Sequence, residues 1–177
     1  VGLVGLGRMG RGIARRLDAA GRLAAAWDAS PDAFAAAGLS AAVAEVPPGA
    51  MGAPVLLFAV PTTAEVRTAL AGAALPEGAL VVDLTTSDPE DGRALAAELA
   101  PAGVAYVDAA MTGGAAGAEA GTLALMCGGE AAALERAAPV LGAFAAKVFH
   151  LGPVGAGHAM KLVHNAILHA TFLATCE

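Results

Sequence analysis

Lys161 and Asn165 stand four residues apart in GAGHAMKLVHN, residues 155–165, where the apolar spacing predicts a helix from about residue 156. One helical turn apart, with about 6 Å of rise, they project from one face, so an ammonium and a carboxamide can hold one substrate oxygen. Met160, Leu162 and Val163 flank the lysine and are expected to surround it. A desolvated ammonium has a lowered pKa, which brings Lys161 toward the range useful for general acid–base work. The plainer alternative is a lysine whose stem packs while its head reaches water, and the helix taken alone favours it.

A second set of residues suits a dinucleotide. Gly5, Leu6, Gly7, Arg8, Met9 and Gly10 form a GxGxxG between a predicted strand over 1–4 and a predicted helix over 9–20. Gly5 permits the tight turn, Gly7 lets the backbone approach a pyrophosphate, and Gly10 lets the helix pack closely on the strand, with the helix N-terminus facing the phosphates. Asp28 ends the next predicted strand at the offset this fingerprint requires. Its carboxylate can accept from the ribose hydroxyls and repel a 2′-phosphate, and Ala29 and Ser30 supply no arginine to bind one. The expected cofactor is NAD rather than NADP. Asp28 can also brace the turn into Pro31.

Thr112, Gly113 and Gly114 offer a hydroxyl and free backbone N–H groups in what reads as a loop after a strand, a cradle for a carboxylate. The four histidines, at 150, 158, 164 and 169, are separated by eight, six and five residues. None makes the i, i+4 pair that puts two imidazoles on one helix face, so no metal is expected.

These groups need a scaffold, and the chain alternates. Strands are predicted over 1–4, 23–27, 55–60, 80–83, 104–107 and 147–151. Helices are predicted over 9–20, 31–37 with Ser30 as N-cap, 63–71, 89–100, 130–141 and from 156 onward. Residues 45–54, EVPPGAMGAP, read as a Pro/Gly-rich connection. Unbroken apolar strands between helices imply a parallel sheet covered on both faces, a doubly wound, Rossmann-type α/β fold. A length of 177 residues with 57% hydrophobic fits one core.

Composition excludes several partners. The longest sharply apolar run, over 55–60, is far shorter than the roughly 20 residues of a membrane span, so a soluble protein is expected. Net charge is −6, and the basic residues are scattered or confined to 8–22, which offers no face to nucleic acid. Two distant cysteines, Cys127 and Cys176, suit packed thiols in a reducing, cytoplasmic setting.

GLGRMG at 5–10, DLTTSDP at 83–89, DAAMTGGAAGAEAGTLALMCGG at 108–129 and GAGHAMKLVHN at 155–165 together resemble the β-hydroxyacid dehydrogenase family, of the 3-hydroxyisobutyrate dehydrogenase and tartronate semialdehyde reductase type. The resemblance implies hydride transfer between NAD and a small 3-hydroxy acid or semialdehyde. It places Gly5 through Gly10 and Asp28 on the dinucleotide, Val60 and Pro61 along it, and Thr86 near its nicotinamide. Thr112, Gly113 and Gly114 would bind the substrate carboxylate, Lys161 would be the catalytic acid and base, and Asn165 would stand beside it. It further implies a homo-oligomer and an organisation of 1–155 as the dinucleotide-binding domain and 156–177 as the start of a helix leading to an all-helical domain. Ala110 and Thr112 replace the usual proline and serine of the family, and Glu65, to which no role is assigned, stands where relatives often carry an uncharged polar residue near the cofactor. Two other readings of the same fold are a non-catalytic NAD-binding fragment or assembly module, and an imine reductase. Relatives of the last kind usually lack the lysine and use NADP.

Overall fold

The computed structural model describes residues 1–177. The chain runs β1 (Gly2–Val4), α1 (Gly10–Ala19), β2 (Ala25–Trp27), α2 (Ala33–Ala37), β3 (Ala44–Glu45), β4 (Val55–Phe58), α3 (Thr63–Leu70), β5 (Leu80–Asp83) and α4 (Pro89–Leu99). It continues through β6 (Ala105–Thr112), α5 (Gly114–Ala120), β7 (Leu123–Gly128), α6 (Ala131–Leu141), β8 (Ala145–His150) and α7 (Ala156–Cys176). The strands form one sheet in the order β3-β2-β1-β4-β5-β6-β7-β8, parallel throughout except for the antiparallel pairing of β6 with β7. The order reverses between β1 and β4, the switch point at which open α/β sheets bind ligands.

Each central strand feeds both faces. Leu57 joins the core made with Leu3, Ile13, Leu17 and Phe144, while its neighbours Leu56 and Phe58 join Val66, Leu95 and Tyr106 on the other side. That two-residue alternation explains why the strands read as unbroken apolar runs. Helix starts are fixed locally. Asp88 caps α4 by accepting from the Glu90 N–H at 2.9 Å, with Pro89 in the first turn. Thr62 and Glu65 form a reciprocal capping box at α3.

Several expectations need correction. Ser30 is not the cap of α2: the helix begins at Ala33, after Asp32, and the Ser30 N–H instead donates to Asp28. The connection over 45–54 carries the edge strand β3 and a short 3-10 turn at Pro48–Ala50. The loop expected after Asp108 is not a loop. β6 runs on to Thr112, α5 follows, and Leu123–Gly128 forms β7, all within the stretch that the glycines disguise. Cys127 is buried, and its thiol is pushed up to about 12 by that burial and the nearby Asp108 charge, whereas Cys176 is exposed at the end of α7 and is not packed.

The first turn of α7 is buried at Gly157 and His158, but Ile167, Leu168, Phe172 and Leu173 further along are all exposed. No helix is long and apolar enough to cross a membrane.

Candidate active site and dinucleotide cleft

At the switch point lies a cavity of about 970 Å³. Gly5, Gly7, Arg8, Met9, Asp28, Val60 and Pro61 line it, so seven of the expected cofactor residues meet in one place. The glycines occupy the positions their chemistry demands. Gly5 has φ +94°, and a Cβ there would lie 2.4 Å from the Ala59 carbonyl oxygen. A Cβ on Gly10 would lie 1.8 Å from the Gly5 carbonyl oxygen, so no side chain fits beneath the turn. Gly7 has nothing within 4 Å of such a Cβ, which leaves its backbone open to a phosphate.

Asp28 ties this turn to β2. Its Oδ2 accepts from the Leu6 N–H at 2.6 Å and its Oδ1 from the Ser30 N–H at 2.8 Å, so the carboxylate is fixed before any ligand arrives. Leu6 therefore contributes a backbone group; its side chain is buried in the core and does not reach the cavity. The remaining lone pairs of Asp28 suit ribose hydroxyls, and the open backbone at Gly7 suits a pyrophosphate. The residues present thus fit NAD.

Thr86, Thr112, Gly113, Gly114, Lys161 and Asn165 lie outside that cavity lining. Thr86 is exposed after β5, and Thr112 is the last residue of β6. Gly113 and Gly114 lead into α5 with φ of +123° and +63°, values that strain any other residue. Lys161 and Asn165 are both half-buried on one face of α7, which packs against β6, β7 and α4. Burial holds the Lys161 ammonium below the ordinary lysine range.

The source of that shelter differs from expectation. Met160, Leu162 and Val163 are 43%, 44% and 54% exposed, so they do not surround the lysine. The sheltered face is the one it shares with Gly157, His158 and Asn165. Gly157 packs so tightly on β7 that a Cβ would lie 2.2 Å from the Met126 carbonyl oxygen.

Beneath this helix lies a buried polar network to which sequence reasoning assigns no role. Asp83 Oδ2 accepts from the Thr63 hydroxyl and the Tyr106 hydroxyl, each at 2.7 Å, and Asp83 Oδ1 accepts from the Thr85 N–H at 2.9 Å. Burial, reinforced by the Asp83 charge, pushes the Tyr106 phenol far up, so it stays a donor. Asp108 pairs in register with Asp83 across β5 and β6, and its two oxygens accept from the Gly155 N–H at 2.7 Å and the His158 N–H at 2.9 Å. Burial pushes the Asp108 carboxyl up, while these amide bonds pull it back. The fully buried His158 ring makes no hydrogen bond, and its Nε2 lies 3.9 Å from Asp83 Oδ1. The legible signal was two apolar strand runs that each end in aspartate, LVVD and VAYVD.

A parallel sheet with a Gly-rich turn at its switch point and a carboxylate on the next strand defines a dinucleotide-binding α/β domain. The family assignment agrees: residues 1–152 match the model of the NAD binding domain of 6-phosphogluconate dehydrogenase, and the chain belongs to that family. It is 36% identical to the NAD-dependent L-serine dehydrogenase of Pseudomonas aeruginosa and 36% identical to a probable 3-hydroxyisobutyrate dehydrogenase of Mycobacterium tuberculosis, in each case over 100% of this chain and 62% of the relative. The solved structure of Mycobacterium tuberculosis 3-hydroxyisobutyrate dehydrogenase with L-serine superposes with a TM-score of 0.89 at 36% identity, covering 98% of this chain and 61% of that one. The chain thus spans about 62% of the length of these curated relatives. An imine reductase from Myxococcus stipitatus shares the fold, with a TM-score of 0.87 at 21% identity. The resemblance to the β-hydroxyacid dehydrogenases, and with it the NAD-binding Rossmann architecture, is borne out by these relatives.

Proposed function

We propose that this chain is the cofactor-binding part of an NAD-dependent dehydrogenase of small 3-hydroxy acids, with Lys161 as the proton carrier. The observation that carries the reading is a half-buried lysine of lowered pKa on α7, which packs on β6 and β7 of the same sheet whose switch point holds the dinucleotide cleft. The bound nicotinamide would supply the hydride acceptor. In oxidation, neutral Lys161 takes the proton of the substrate hydroxyl as hydride leaves the same carbon, and the carbonyl forms. In reduction, the ammonium returns that proton to the oxygen. Asn165, one turn on, donates to the same oxygen, and Thr112 with the Gly113 and Gly114 amides holds the substrate carboxylate.

The domain assignment follows the same reading: 1–155 binds the dinucleotide, and 156–177 begins the helix that carries the substrate side. Exposed Ile167, Leu168, Phe172 and Leu173 support a homo-oligomer or a further domain packed against α7. A cytoplasmic setting fits the reduced cysteines. Lys161 weighs against an imine reductase and against a non-catalytic module, since both readings leave it without work. The test is a panel of 3-hydroxy acids, including 3-hydroxyisobutyrate and serine, scored for NADH formation; no turnover of any member by the protein as its gene encodes it would reject the reading.

A further inference from the structure

One wall of the cleft is explained by neither the Gly-rich turn nor Asp28. On it, α3 presents Glu65, Thr68 and Ala69, at the i, i+3, i+4 spacing of one helix face, and Pro48 adds an apolar surface. With the phosphates on the turn and the ribose on Asp28, the base of the dinucleotide is left to this wall.

Pro48 and Ala69 can pack against the faces of a base but cannot read its edge. Two polar side chains remain. Thr68 commits its hydroxyl proton to the Ala64 carbonyl at 2.9 Å. Glu65 accepts from the Thr62 N–H at 3.0 Å and from the Thr62 hydroxyl, and both bonds go to Oε2, which leaves Oε1 for a ligand. The Thr62 hydroxyl, as the largest cause, holds this carboxyl below the usual carboxylate range, so it is an acceptor with no proton to give.

We infer that Glu65 reads the base of the cofactor, accepting a hydrogen bond from the exocyclic amine of adenine and turning away a base that carries an oxygen at that position. The inference rests on the dinucleotide occupying this cleft. An adenine edge offers the N–H donors a carboxylate needs, whereas a carbonyl oxygen sets two acceptors against each other. The capping box holds the carboxylate rigidly in place for this reading.

Trp27, the single tryptophan, lines the cleft and reports binding through its fluorescence. Titration with NAD and with nicotinamide hypoxanthine dinucleotide, in which oxygen replaces the amine, should show NAD binding at least about tenfold more tightly. Glu65→Gln preserves the capping box, because glutamine serves at that position, and its amide can rotate to donate to the oxygen. That variant should bring the two affinities to within about threefold of each other. Both dinucleotides carry the same charge, so a general electrostatic effect of Glu65 would move them together and keep the ratio. Equal affinities in the wild type, or an unchanged ratio in Glu65→Gln, would overturn the inference while leaving NAD binding intact. If neither dinucleotide binds, the cofactor reading fails and the inference fails with it.

Discussion

The Asp108 carboxylate, buried at the level where β6 meets β7, accepts the backbone N–H of His158 at 2.9 Å, one helical turn before Lys161. Its other oxygen takes the N–H of Gly155, the residue at the N-cap of α7, which has no side chain to cap with. A strand residue thus does for α7 what a serine or aspartate ordinarily does from the preceding position. Because that turn sets the direction of the helix, it sets where Lys161 and Asn165 point.

Asp108→Asn tests the cap. An amide keeps one acceptor oxygen but turns an N–H₂ toward the second backbone donor, at a cost of about 1–3 kcal/mol. Urea denaturation should show that loss, and Asp108→Ala should lose at least as much. An unchanged unfolding midpoint in both variants would mean the two amide bonds contribute nothing.

Lys161 and Lys147 are the only lysines, so the amines can be followed separately by mass spectrometry. Burial disfavours the Lys161 ammonium, and its reactivity toward an acylating reagent should reach half-maximum at a lower pH than that of an ordinary, fully solvated lysine amine. With the folded pKa depressed, the burial cost is full below that pKa and fades as pH rises through it toward the unfolded value. A half-point at the ordinary lysine value would remove the shelter attributed to the packed face of α7.

Gly7 and Gly10 should separate binding from folding. Gly7→Ala meets nothing within 4 Å and should leave the unfolding free energy within about 0.5 kcal/mol, while its methyl obstructs the approach of the pyrophosphate and weakens NAD binding. Gly10→Ala sets a methyl 1.8 Å from the Gly5 carbonyl oxygen and should destabilise by on the order of 3 kcal/mol. Equal effects of the two changes on stability would contradict the division of labour in the turn.

Asp28→Ala removes the ribose acceptor together with the anchors for Leu6 and Ser30. NAD affinity should fall at least about tenfold, and the preference for NAD over NADP should shrink, because the charge that repels a 2′-phosphate is gone. A preference for NAD that survives the substitution undiminished would place cofactor discrimination elsewhere in the cleft.

The sequence was most informative where local rules and burial agree. Val55-Leu56-Leu57-Phe58 must be a central strand because both of its faces are covered, and GLGRMG must be a turn because Gly5 and Gly10 have no room for a side chain. It was least informative where glycine and alanine hide regular structure. In residues 108–129 the small residues that read as a flexible cradle build the end of β6, all of α5 and the antiparallel β7. Partnerships across distant segments were also out of reach. Nothing local to Asp108 indicates that the N–H donors to its carboxylate lie 47 and 50 residues ahead, and nothing local to Lys161 indicates that its shelter comes from the sheet rather than from Met160 and Leu162. The roles proposed for Lys161 and Asn165 came from side-chain chemistry together with the family resemblance; how the two residues are positioned depends on the tertiary contacts of α7.

The role proposed for Lys161 is to carry the proton in NAD-dependent oxidation of a 3-hydroxy acid. The most direct measurement compares turnover and NAD binding in the wild type and in Lys161→Met, made in the protein as its gene encodes it. In Lys161→Met, kcat should fall by on the order of 10² to 10⁴ while the dissociation constant for NAD stays within about threefold, and wild-type kcat/KM for oxidation should rise with pH through a pKa below that of an ordinary lysine. Turnover that persists at the wild-type rate in Lys161→Met, with the same pH profile, would contradict that role.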